Sequence, residues 1–211
     1  YQDLFDSCVS RETDRLVRDA RAEGFRFADY GVINMLNARY LVYGPGADNV
    51  IVNPAANGPA WLVGKLSVVQ SPTEELRALK GLDTRTEAVI DGSAFRVDAE
   101  SVSIDSLSGI TLVSHSPRRM VYQAKSGTRQ LAVFSEIHYP AGWTATIDDK
   151  PADILRVNYV LRGLMLDPGN HRIDFTFSPA SYTVGNRVTQ AFNWLVLIAF
   201  AGAVFMVWRK P

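Results

Sequence analysis

The sequence predicts an α+β fold: mostly an antiparallel β-sandwich, with short N-terminal helices before it and one C-terminal transmembrane helix after it. Three observations predict this. From Thr86 onward, short alternating runs recur about every ten residues between turn-forming residues. Before them, amphipathic and capped helical patterns prevail. At the end, the stretch from Ala191 to Trp208 carries no charge.

The elements follow in order. Residues 1–23 place Leu4, Phe5, Cys8, Val9, Leu16, Val17 and Ala20 on one helical face, with Arg11, Asp14, Arg15 and Arg18 elsewhere. A second helical piece from Tyr30 through Leu36 leads into ARYLVYG, whose aliphatic and aromatic content predicts a strand ending at Gly44. Pro54, Gly58 and Pro59 punctuate a loop, and AWLVGKLSVV then predicts one strand from Ala60 to Val69. In SPTEELRALKG, Ser71 caps, Pro72 suits the first helical position, Glu74 completes a capping box and Gly81 stops the chain, so a helix is expected at 72–80. The runs FRVDA, VSIDSL, GITLVSH, RMVYQA, QLAVFSE, WTATID, ADILRV, LRGLML and HRIDFTF supply the sandwich. The expected divisions are a helical and mixed part over 1–85, the sandwich over 86–180, a polar connector over 181–190 and the membrane helix over 191–208.

The eighteen residues from Ala191 to Trp208 would cover about 27 Å as a helix, close to the hydrocarbon thickness of a bilayer. Their leucines, isoleucine, valines and phenylalanines favour insertion by roughly 3–5 kcal/mol, more than Asn193 near one end cancels. Trp194 and Trp208 stand where interfacial aromatics belong, and Arg209 and Lys210 follow at once. The positive-inside tendency then puts the C-terminus in the cytoplasm and residues 1–188 outside.

Composition narrows the function. With 211 residues, 47% of them hydrophobic, the chain can bury one sizeable core or two small ones. Its 22 basic and 22 acidic side chains balance, and no basic run stands out, so nucleic acid is not an expected partner. A single cysteine, Cys8, excludes an internal disulfide and is expected as a small apolar residue on a helix face. The chain opens at Tyr1 without methionine or signal peptide, as a fragment would.

Few patterns carry chemistry, and no cofactor is implied. His115, His138 and His171 lack a second ligand at helical or strand spacing, so no metal site is expected. Ser135, His138 and Asp148 could be drawn as a triad, but no nucleophile elbow is present and Ser135 lies inside a strand pattern. Asp148 and Asp149 are adjacent and read as turn residues, not as a glycosidase pair. YGPGADN lacks both a following Lys-Ser and a dinucleotide fingerprint. The cluster HYPAGWTATID is the most informative. Tyr139 and Trp143 bracket a turn and could form an aromatic face for a sugar ring, with Asp148, Asn158 and Arg162 as polar partners. The plainer alternative makes Trp143 the core aromatic of the sandwich, with Tyr139 capping its edge.

Four blocks carry a family resemblance: NMLNARYLVYG (34–44), NPAANGPAWLVGKL (53–66), VFSEIHYPAGWTATIDDKPA (133–152) and LDPGNHRIDFTFSPASYTVG (166–185). In this order, and followed by an apolar helix, they resemble the C-terminal extracytoplasmic region of YfhO-like bacterial membrane proteins, polytopic proteins similar to the GT-C class of glycosyltransferases. The family pattern favours Asp-Gly-Lys where this chain has Asp148-Asp149-Lys150. The resemblance implies residence in the bacterial cytoplasmic membrane and glycosyl transfer from a polyprenyl-linked sugar to a cell-envelope glycan, performed by upstream membrane helices of the same protein. The essential acid of GT-C proteins lies in an early outer loop, outside these residues, so no catalytic residue is assigned. Accessory domain, membrane-tethered carbohydrate- or protein-binding module, and structural lid on a membrane bundle all remain open.

Overall fold

The computed structural model describes residues 1–19, 25–42, 44–46, 49–99, 102–103 and 107–209. Ala20, expected on the first helical face, lies outside them, as do Ile104, Asp105 and Ser106 of VSIDSL.

Two facing sheets form the sandwich. The first has five strands: β6 (Gly109–Ser116), β7 (Arg119–Ser126), β9 (Trp143–Ile147), β10 (Lys150–Ala152) and β13 (Gly169–Phe177), ordered β10-β9-β13-β7-β6. The second has four: β3 (Ala60–Val63), β8 (Gln130–Ile137), β11 (Leu155–Val157) and β12 (Leu161–Leu166), ordered β11-β12-β8-β3. All these pairings are antiparallel. Between the sheets, Tyr122, Phe134, Phe175, Leu164, Leu166 and Ile173 form one apolar core.

A third layer covers the outer face of the four-stranded sheet. Strands β4 (Lys65–Val69) and β5 (Glu87–Asp91) pair in parallel, joined by helix α4 (Pro72–Ala78). Against them pack α3 (Gly31–Met35) and an N-terminal helix made of α1 (Gln2–Leu4), a π-helical turn (Phe5–Val9) and α2 (Ser10–Asp19). Leu4, Met35, Trp61, Val63, Leu79, Ile90, Leu131 and Val133 share this second core. The middle sheet is thus apolar on both faces, which explains why QLAVFSE reads as a continuous apolar run. Leu131 and Val133 face one core, Ala132 and Phe134 the other.

Several sequence expectations meet a physical correction. Ala60–Val69 is two strands, because the chain leaves one sheet for another at Gly64, whose N–H donates to the carbonyl of Thr86 at 3.1 Å. FRVDA is irregular chain packed against the outer core through Phe95, Val97 and Ala99. The polar stretch ahead of the apolar tail is helical, so α5 (Ala180–Trp208) runs unbroken for 29 residues. Thr189 there turns its hydroxyl back to the carbonyl of Gly185 at 3.0 Å, satisfying a polar side chain on the helix itself. On the N-terminal helix the buried stripe is narrower than expected: Leu4, Cys8 and Leu16 are buried, whereas Phe5 and Val17 are exposed. Glu12 completes that four-residue spacing. Its two carboxylate oxygens accept the N–H groups of Val32 at 3.2 Å and Ile33 at 3.0 Å, at the otherwise unsatisfied start of α3. The hairpin of β1 (Tyr40–Val42) and β2 (Val50–Val52) stands apart, with Tyr40, Val42, Val50 and Val52 exposed.

The β9–β10 turn shows what Asp149 does in place of the favoured glycine. Ile147 pairs with Lys150 across two residues, and both Asp148 (φ 51°) and Asp149 (φ 64°) are left-handed, the conformation of a type I′ turn. Aspartate tolerates this conformation at a cost that glycine avoids. Asp149→Gly is therefore expected to stabilise the domain by about 0.5–1 kcal/mol, read as a rise in unfolding temperature of roughly 1–4 °C.

Candidate functional site

The end of β8, the loop after it and the start of β9 build a surface cleft of about 300 Å³, lined by His138, Tyr139, Pro140, Trp143, Thr144, Pro151, Asp153 and Ile154. The loop is held at both ends. His138 donates its backbone N–H to the carbonyl of Val160 at 2.6 Å, and Gly142 donates to Pro140 at 3.1 Å across the turn. Gly142 has φ +103°, and a Cβ there would meet Pro179 at 2.9 Å, so only glycine permits this backbone to approach the chain just before α5. The N–H of Ser178 donates to the carbonyl of Gly142 at 2.7 Å. One turn further on, the guanidinium of Arg118 lies 4.9 Å from the ring centre of Tyr182 on α5. The cleft and the first turn of the apolar helix are therefore fastened together.

Three of the five expected site residues meet here. Tyr139 is exposed and Trp143 half-buried, and both line the cleft. Arg162 lies beneath: it is buried, its guanidinium is 4.2 Å from the Trp143 ring centre, and its Nε donates to the carbonyl of Ile137 at 3.1 Å. Burial holds its pKa below the usual arginine value, and its Nη1 has no hydrogen-bond partner among the described residues. Trp143 also packs against Phe177 at 5.1 Å. The indole thus has one side in the structure and another toward the cleft.

The other two lie elsewhere. Asp148 sits in the β9–β10 turn, where Oδ1 accepts the Arg172 N–H and Oδ2 meets His171 Nδ1, both at 2.8 Å. Those bonds, the backbone one first, hold its carboxyl below the ordinary range. His171 points its other nitrogen at the carbonyl of Asp167 at 2.8 Å, so both ring nitrogens face acceptors. Partial burial opposes the charged imidazole, but the bonds from Asp148 and Asp167 outweigh it and raise its pKa. Asn158 is buried against β5: its N–H and Oδ1 pair with the carbonyl and N–H of Val89 at 2.8 and 2.9 Å. The bonds of both residues serve the fold.

No triad assembles. Ser135 Oγ lies 3.4 Å from the carbonyl of Pro59, Asp148 is taken by His171, and His138 sets its ring edge-on to Phe95. Burial first, and the charge of Arg156 second, lower the pKa of His138, leaving a neutral imidazole in the cleft. Among the described residues, no group of three His, Cys, Asp or Glu side chains could hold a metal. The arrangement offers stacking area, a neutral imidazole, a phenol and a carboxylate at Asp153: binding groups, without an activated nucleophile.

Sequence reasoning missed a buried ionic cluster on the other side of the four-stranded sheet. Glu75 on α4 is fully buried. It accepts the Tyr159 N–H at 2.9 Å and a bond from Arg156 at 3.1 Å, while Asp91 stands 3.7 Å from the same guanidinium. Burial pushes the Glu75 carboxyl up to about 7. The helical spacing of SPTEELRALKG could have marked Glu75 as inward-facing, since Leu76 and Leu79 share that side.

Helix α5 contains a span from Val184 to Met206, 23 residues long with mean hydropathy 1.7 and none of it buried, which is long and apolar enough to cross a membrane. Residues 100–189 match the family model of the bacterial membrane protein YfhO. No curated protein and no solved structure gives a significant match. Over the matched segment, which holds most of the sandwich and the start of α5, the chain is YfhO-like, and with the apolar helix this makes it a membrane protein.

Proposed function

We propose that this YfhO-like membrane protein segment is the extracytoplasmic accessory domain of a polytopic bacterial protein, and that it assists transfer of a lipid-linked sugar to a cell-envelope glycan. The observation that carries the reading is the place of the Tyr139–Trp143 cleft, fastened through Gly142 to the chain just before the membrane-crossing helix. A saccharide held there would lie close to the bilayer surface, where a polyprenyl-linked donor presents its sugar. In this reading Tyr139 and the free side of Trp143 offer stacking area, and His138 and Asp153 offer hydrogen bonds. The domain binds and positions; the transfer step belongs to upstream membrane helices. The C-terminus faces the cytoplasm and residues 1–188 face outward, following Arg209 and Lys210.

Tyr139→Ala tests this directly, because the exposed phenol supports no described packing of the core. In membranes containing the full-length protein, sugar transfer from a polyprenyl-linked donor is expected to fall roughly 10-fold at unchanged protein level, the loss of about 1.4 kcal/mol of binding. Unchanged transfer would sink the glycan role of the cleft. A structural-lid role is supported by the exposed apolar β1–β2 hairpin, which offers a surface to membrane helices of the same protein. In that case hairpin substitutions such as Val42→Ser would lower protein level and leave the specific activity intact.

A further inference from the structure

We propose that the groove between α2 and the end of α4 binds a phosphate or diphosphate group. Arg11, Arg15 and Arg18 recur at four- and three-residue spacing and so share one face of α2. Lys80, just past α4, brings a fourth cation, and Gly81, at φ +83°, turns the chain away beside it. These residues line a concavity of about 240 Å³ with Cys8, Val32 and Leu79 as its apolar floor. The cations are separated in sequence by up to about seventy positions, which is why a chain of zero net charge showed no basic run.

Among the described residues that line the groove the one carboxylate is Glu12, whose oxygens accept the N–H groups of Val32 and Ile33, so a single negative charge faces four cations. Arg15 is steadied by a bond to the carbonyl of Asp29 and by the Tyr30 ring, 4.5 Å from its guanidinium, so its charge is positioned but not cancelled. Among the described residues, Arg11, Arg18 and Lys80 form no ion pair. Four cations facing one occupied carboxylate, over a low-dielectric floor, focus a positive potential into the concavity. The size selects a small anion, since it falls below the roughly 300–1,000 Å³ of sites that enclose drug-sized molecules. The guanidinium forks suit phosphate oxygens, which they can meet two at a time. A free phosphorylated ligand and a phospholipid headgroup share this chemistry. The proposal does not rest on the glycan reading of the cleft at Trp143.

The test uses full-length protein in phosphatidylcholine nanodiscs, titrated with inorganic diphosphate by calorimetry at low salt. The double variant Arg11→Gln/Arg18→Gln is expected to weaken binding about tenfold or more, whereas the charge-matched Lys125→Gln/Lys150→Gln pair on the five-stranded sheet leaves it within twofold. All four side chains are exposed, and circular dichroism verifies that each variant folds. Repeating the titration in discs containing phosphatidylglycerol separates the sources: affinity unchanged points to a free phosphorylated ligand, affinity lowered by competition points to a headgroup, and either supports the site. Absence of binding, or equal affinity in the Arg11/Arg18 variant and wild type, overturns the proposal.

Discussion

Phe134→Ala is expected to cost about 3–5 kcal/mol, the range for truncating a fully buried aromatic. Phe134 has no exposed surface and meets Tyr122 and Phe175 edge-on, with ring centres 4.9 and 4.8 Å away. Each such contact adds about 0.5–1.5 kcal/mol beyond the area buried. Because it lies on the strand shared by both cores, the cavity would open at the centre of the sandwich, where the four-stranded sheet cannot collapse without disturbing the layer beyond it. Against a total stability of about 5–15 kcal/mol, such a loss leaves a large unfolded fraction. Thermal unfolding followed by tryptophan fluorescence would show it, and a drop smaller than that for Phe134→Leu would contradict the placement of the ring.

The second large effect belongs to Glu75. Glu75→Ala is expected to cost about 3 kcal/mol at neutral pH, because the buried N–H of Tyr159 and the Arg156 guanidinium both lose their acceptor. Glu75→Gln keeps an oxygen for Tyr159 and separates charge from shape. The wild-type carboxyl is raised from 4.5 to about 7 by burial, so the folded protein holds a proton there that the unfolded chain releases. Its contribution is therefore fully present below about pH 4.5 and is lost as pH rises toward 7, a change on the order of 3 kcal/mol. Unfolding temperature measured from pH 5 to 8 should fall across this window in wild type and flatten in Glu75→Gln. Parallel curves for the two proteins would remove Glu75 as the source of the dependence.

Local pattern was enough for much of the fold. The Ser71 cap forms as expected, with the Glu74 N–H donating to Ser71 Oγ at 3.2 Å, although the Glu74 carboxylate accepts the N–H of Gln70 at 2.9 Å in place of that of Ser71; the turn at Asp148 joins the strands on either side of it. What escaped depends on contacts far along the chain. Whether Ala60–Val69 is one strand or two is decided at Thr86 and on β8, and the inward turn of Glu12 is decided by α3. The candidate site divides the same way. Tyr139 and Trp143 flank one turn and so stay neighbours in space, and Arg162 joins them because β12 pairs with β8. Asp148 and Asn158 are drawn off by partners on β13 and β5, whose positions no local spacing reveals.

The membership of β3 in the middle sheet bears on the order in which the chain can fold. Among the described residues, 60–63 pair with β8 alone, about seventy positions later, and the other edge of β8 is covered by β12, later again. Closing loops of this length is costly in entropy before any contact rewards it. Trp61 can pack early on the outer layer, where its indole N–H donates to the carbonyl of Thr84 at 2.8 Å, but the four-stranded sheet is completed only shortly before α5. The outer layer, built mostly from residues before 100, is therefore expected to form first, with the sandwich closing on it as the last strands arrive.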